Sequence, residues 1–151
     1  MNRRQFLCSA VASLAATKTA PARASQLEMT VYKDPNCGCC HAWAQAMKDA
    51  DFAVTIRDME DLSSIKMKYG IPDVMQGCHT AVIGPFFIEG HVPLEAVEKI
   101  LKEAPGIAGI AVPGMPAGTL GMGEDPKAEY DVYAVGKTGS HSVYLQVRRK
   151  A

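Results

Sequence analysis

Beyond residue 24 the chain alternates short apolar runs with polar turns, closely enough to be read element by element. Residues 28–33 (E-M-T-V-Y-K) alternate and predict a strand. Asp34-Pro35-Asn36 is turn chemistry. Cys40, Trp43, Ala44 and Met47 then recur at i, i+3, i+4 and i+7, so a helix with one apolar face runs to about residue 50. Phe52, Val54 and Ile56 alternate within a second strand over 52–58. A second helix is expected over 61–69, capped by Asp61 and ended by Gly70. Residues 80–83 form an apolar strand, Gly84-Pro85 a turn, and 86–89 the returning strand. Pro93 opens a third helix that runs to about residue 103.

Strand, helix, strand, helix, hairpin, helix is an α/β order, and it is that of a thioredoxin-like domain, here residues 25–104. Cysteines between the first strand and first helix stand where that fold keeps its active site. Residues 105–126 change character, with six glycines and four prolines in 22 positions. They also carry Ile107, Ile110, Val112 and Leu120, too apolar for a solvated linker, so an ordered loop lying on the domain is expected. Strands over 131–135 and 143–148, around Gly136-Lys137-Thr138-Gly139, predict a terminal β-hairpin. Residues 105–151 are therefore a Gly/Pro-rich C-terminal extension packed on the domain.

Residues 1–24 read as an export signal. Arg3 and Arg4 precede an apolar run over 6–16, too short to span a bilayer, which takes about 20 residues. Ala22-Arg23-Ala24 is an A-x-A-like cleavage site, and Arg3-Arg4-Gln5-Phe6-Leu7 resembles a twin-arginine signal; a plain Sec signal or an uncleaved anchor is the alternative. Cys8 stands too early for a lipoprotein cysteine. The expected compartment is the periplasm, with no membrane span after cleavage.

The whole chain of 151 residues balances 16 basic against 16 acidic groups. The first 24 residues hold Arg3, Arg4, Lys18 and Arg23 and no acid, so the mature chain has 12 basic and 16 acidic groups, a net charge of −4. Nothing in that balance suits a nucleic-acid binder. Four cysteines remain, Cys37, Cys39, Cys40 and Cys78, and an oxidising compartment tends to pair unprotected thiols.

Cys37-Gly38-Cys39-Cys40 overlaps two spacings. Cys37 and Cys40 make the redox C-x-x-C pair, and Cys39 adds a thiol that a plain disulfide oxidoreductase does not need. A helix start here favours thiolates, the form that attacks disulfides and binds metal. Structural zinc usually takes two separated pairs, whereas here three cysteines cluster and the fourth is 38 residues on. Adjacent Cys39 and Cys40 diverge by about 100° on a helix, which suits separate or bridged ions better than one. Clustered thiolates with methionine and histidine nearby select Cu(I), so the cluster leans towards polynuclear copper, with disulfide chemistry and inert cysteines as the other readings.

Cys78-His79-Thr80 begins the third strand, where the thioredoxin order places a cis-proline and Thr. It reads as a substrate corner converted to metal ligands, against the alternative of a buried small cysteine. His91 falls roughly opposite position 79 if the hairpin turns at Gly84-Pro85; it is either a ligand or a capping histidine. Met115 and Met122 sit among glycines as soft ligands or as plugs on the core. His41 and His141 read as solvent-facing.

Together, the Asp34-to-Cys40 motif with Trp43, Cys78-His79-Thr80, Glu89-Gly90-His91-Val92-Pro93 and the loop bearing Met115 and Met122 resemble the CopG-type periplasmic copper-resistance proteins. The resemblance spans essentially all of the mature chain. It implies a thioredoxin-like domain with a metal-binding extension and a cysteine-bridged multi-copper cluster. It also implies interconversion of Cu(I) and Cu(II) during efflux, which would make the protein a copper oxidoreductase. Cys37, Cys39, Cys40 and Cys78 are then the thiolate ligands, and His79, His91, Met115 and Met122 the supporting ones. Two alternatives stay open: a thiol–disulfide oxidoreductase using Cys37 and Cys40, and a non-catalytic copper chaperone. The expected partners are copper ions and periplasmic efflux or chaperone proteins, with the chain itself a monomer.

Overall fold

The computed structural model describes residues 27–123 and 125–148; the expected export signal lies outside them. Chain order is β1 (Glu28–Lys33), α1 (Gly38–Asp49), β2 (Ala53–Asp58), α2 (Ser63–Lys68), β3 (His79–Ile83), β4 (Phe86–Glu89), α3 (Leu94–Glu103), β5 (Gly109–Ala111), β6 (Tyr130–Val135) and β7 (His141–Val147). One mixed seven-stranded sheet joins them in the order β2-β1-β3-β4-β5-β6-β7. β1 runs parallel to β2 and antiparallel to β3, and β3 and β4 are antiparallel. β5 runs parallel to β4 and antiparallel to β6, which pairs antiparallel with β7. Among the described residues no helix is long and apolar enough to cross a membrane.

Side-chain alternation along β3 and β4 feeds two cores. Ala81, Ile83, Phe86 and Ile88 join Trp43, Ala44 and Met47 of α1 and Ala96, Val97 and Ile100 of α3 in the main cluster. Phe87 turns the other way, into a smaller cluster with Ile71, Met75, Ala111 and Val135. Period two places His79 on the face of Ala81, and Thr80 and Glu89 on the opposite face. Trp43 is fully buried and its indole N–H donates to the carbonyl of Val92 at 2.8 Å, which ties α1 to the segment leading into α3. Each such large apolar side chain contributes about 1.5–3 kcal/mol by leaving water.

The elements differ from the sequence reading in several places, among them β7, which starts at His141 rather than at residue 143. α2 is only six residues long; Asp61 accepts from the Ser63 N–H at 2.8 Å, while Leu62 occupies the cap position without a side-chain bond. β3 starts one residue earlier, at His79. The segment read as pure loop contains β5, which pairs with β4. Only glycine fits at the first residue of β5, because a Cβ on Gly109 would collide with the Phe87 carbonyl and ring.

Candidate metal centre

The start of α1 gathers three of the sulfurs. Cys37 is the N-cap in extended conformation, and the Cys40 N–H donates to its Sγ at 3.4 Å. Cys37 and Cys40 form a disulfide, while Cys39 and Cys78 are free. Cys39 Sγ lies 3.5 Å from Cys37 Sγ, and Cys40 Sγ lies 3.7 Å from the carbonyl oxygen of Cys78. The four sulfurs all fall within 4.8 Å of one another.

A second group overlaps the first at Cys78. One ligand atom each from Cys78, His79 and His91 also falls within 4.8 Å of the others. His91 Nδ1 is 2.7 Å from the carbonyl oxygen of Leu120, an acceptor only, so Nδ1 carries the proton. In the neutral ring the Nε2 lone pair is then free, and it faces Cys78 Sγ at 3.1 Å. A backbone carbonyl that fixes the tautomer in this way is the usual support of a metal-binding imidazole. The carbonyl comes from the Gly/Pro segment, so the extension reaches the site through its backbone.

His79 is fully buried, between the Trp43 ring at 4.6 Å and the His91 ring at 5.0 Å. Its Nδ1 lies 3.5 Å from Cys78 Sγ, and its Nε2 has no hydrogen-bond partner among the described residues. Burial, with His91 and Lys66 nearby, pushes its pKa down to about 3, so the ring is neutral at physiological pH. Burial, with Cys39 next in weight, pushes the Cys78 thiol up to about 12. Metal entering the metal-free protein must therefore displace a proton from Cys78. Soft sulfurs, free imidazole nitrogens and an orphaned buried nitrogen make a donor set that fits a thiophilic ion.

The register corrects one detail of the approach. Thr80 pairs with Glu89, so His79 faces Gly90 rather than His91. Gly90 has φ +71, and this left-handed residue turns the chain so that His91 comes back beside His79. Gly121 brings the extension equally close, since a Cβ there would stand 2.8 Å from the Cys39 carbonyl and 2.9 Å from the Trp43 nitrogen. Met122 follows it, half-buried; Met115 is 58% exposed. The Gly114 N–H, just before Met115, donates to the Gln76 carbonyl at 3.4 Å. His41 is exposed on α1, and His141 is exposed at the start of β7.

Sequence reasoning missed the brace behind the site. Lys66 and Glu89 form a buried ion pair. The Lys66 ammonium also donates to the Gly77 carbonyl at 3.0 Å, and Glu89 accepts from the Gly77 N–H at 2.7 Å and the Thr80 hydroxyl at 2.6 Å. Gly77 and Thr80 bracket Cys78-His79, so the pair fixes both flanks of the two donors. The one signal available was a Glu closing the apolar run Phe86-Phe87-Ile88; Lys66 gave none.

Two solved structures of the copper resistance protein CopG, Form 1 and Form 2, are 38% identical in sequence to this chain. Form 1 superposes with a TM-score of 0.76 over 82% of this chain and 98% of its own. Form 2 does so with 0.75 over 81% and 98%. The chain belongs to the CopG family. A family described as proteins of unknown function, DUF411, also matches residues 75–122, the stretch that carries Cys78, His79, His91 and the Gly/Pro loop. No curated protein matches.

Proposed function

We propose that this CopG-family chain is a periplasmic copper-binding protein of copper resistance. Its four cysteines hold a bridged, polynuclear copper site, and the site interconverts Cu(I) and Cu(II). One observation carries this reading: four sulfurs within 4.8 Å of one another, adjoining two imidazoles that share Cys78. Once Cys37 and Cys40 are reduced, all four sulfurs become thiolate donors for Cu(I), and His91 offers a nitrogen that also tolerates Cu(II). His79, Met122 and Met115 are the supporting ligands of the proposal.

The strand order β2-β1-β3-β4, with cysteines at the start of α1, supports a thioredoxin-like unit over residues 25–104. On this reading residues 105–151 are an extension that completes the site and ends in a hairpin, and residues 1–24 are the export signal.

Copper content after expression in copper-supplemented cells is the test. Cys39→Ser and Cys78→Ser should each lower the copper bound per chain, whereas unchanged content in both would sink the proposal. The Cys37–Cys40 disulfide favours a second reading, a thiol–disulfide oxidoreductase. That enzyme would turn over protein disulfides without metal, and Cys39→Ser would spare it. A chaperone, by contrast, would pass copper to an efflux partner with no change of oxidation state.

A further inference from the structure

The four sulfurs are not equivalent: two are joined and two are free. The joined pair, Cys37 and Cys40, has the C-x-x-C spacing. The free thiols are Cys39 and Cys78; Cys78 groups with His79 and His91, and that group does not involve the bonded pair at all. Disulfide formation therefore removes two donors and leaves a soft donor set intact beside it. An ion held by Cys39 and Cys78 lies close to both sulfurs of the pair, because all four are mutually within 4.8 Å.

We propose that Cys37 and Cys40 are the built-in reductant of this copper site: the dithiol reduces two Cu(II) ions to Cu(I) and closes as the disulfide, while Cys39, Cys78 and the two histidines retain the product. The inference rests on the copper reading above and names its electron source. The step balances. Each thiol gives up one proton to water and one electron to a copper ion, two S–H bonds break and one S–S bond forms. Two Cu(II) become two Cu(I).

The local structure suits the two cysteines to this work. Cys37 is half-buried at the N-cap, and the Cys40 N–H donates to its Sγ. Cys40 is fully buried, so the pair opens to solvent only at Cys37. One chain stores two electrons. A second round requires an external dithiol, which would take over the disulfide by exchange at Cys37.

The test uses the protein reduced, freed of reductant and kept under nitrogen, with two equivalents of copper(II) sulfate added per chain. Loss of the Cu(II) paramagnetic signal is followed in time, Cu(I) is counted by chelation after denaturation, and cysteines are mapped by alkylation and mass spectrometry. Two Cu(I) per chain are expected, with Cys37 linked to Cys40 and with Cys39 and Cys78 alkylated. Cys37→Ser should slow the reduction at least ~10-fold, since closure of the Cys37–Cys40 disulfide needs that sulfur. Persisting Cu(II) with four free thiols would overturn the proposal. So would Cu(I) formed at the expense of Cys39 and Cys78, or an unslowed variant. A parallel sample is given Cu(I) directly. Retention there with no reduction of Cu(II) would overturn the electron-source role alone, whereas failure to retain Cu(I) would overturn the copper site itself.

Discussion

Gly90 decides where His91 goes. Its φ of +71 is costly for any residue with a Cβ, and that Cβ would stand 2.5 Å from the Val112 carbonyl. Gly90→Ala should cost at least ~1–3 kcal/mol of stability in chemical denaturation and lower copper affinity as His91 shifts. The Lys66–Glu89 pair makes a different prediction. Glu89→Gln leaves a buried ammonium without its counter-charge, at a cost of about 3–5 kcal/mol in urea unfolding, whereas replacing both by apolar residues should recover much of the loss. If the double variant were no better than Glu89→Gln, the buried charge would not be the cause. His79 sets a pH dependence of the metal-free protein. Its folded pKa of about 3 lies below the ordinary 6.5, so between those values the unfolded chain binds a proton that the folded one does not. Its contribution is complete above pH 6.5 and is lost as pH falls towards 3. His79→Gln should flatten that part of the stability curve; an unchanged acid limb would refute the assignment.

At the scale of elements, the site lies where α1, the β3 and β4 ends and the Gly/Pro segment converge. The first two were legible in the sequence because their patterns are strong. The i, i+3, i+4, i+7 set of α1 is the buried face, and Cys37 to Cys40 do open that helix. β5 was not legible, since three residues between Gly/Pro runs are too few to show alternation and their pairing with β4 is non-local. Nor was the Lys66–Glu89 brace, because a lone charge on a six-residue helix looks like a solvated one until the fold covers it. The role of Leu120 was hidden for a simpler reason: its backbone oxygen, not its side chain, meets His91. Gly121 tests the contact between the extension and α1. Gly121→Val should lift the segment from Cys39 and Trp43 and weaken copper retention, while α1 helicity by circular dichroism stays near wild type. Unaltered copper retention would show that the segment does not help to form the site.

For the whole molecule, the start of α1 and the ends of β3 and β4 carry the donors, and the redox state of one cysteine pair sets how many are available. Copper held by the folded chain and not by the unfolded one must raise its stability, by ~2.7 kcal/mol at free metal one hundredfold above the dissociation constant. Cu(I) should therefore raise the midpoint of thermal unfolding of the reduced protein, and a Cu(I) chelator should reverse it. The most direct measurement is copper per chain by elemental analysis, with a count of reactive thiols, on protein exported in copper-supplemented cells. More than one copper per chain, with Cys37, Cys39, Cys40 and Cys78 all protected from alkylation, is the predicted result. A copper-free protein with a Cys37–Cys40 disulfide and two reactive thiols would contradict the account and leave a thiol–disulfide enzyme in its place.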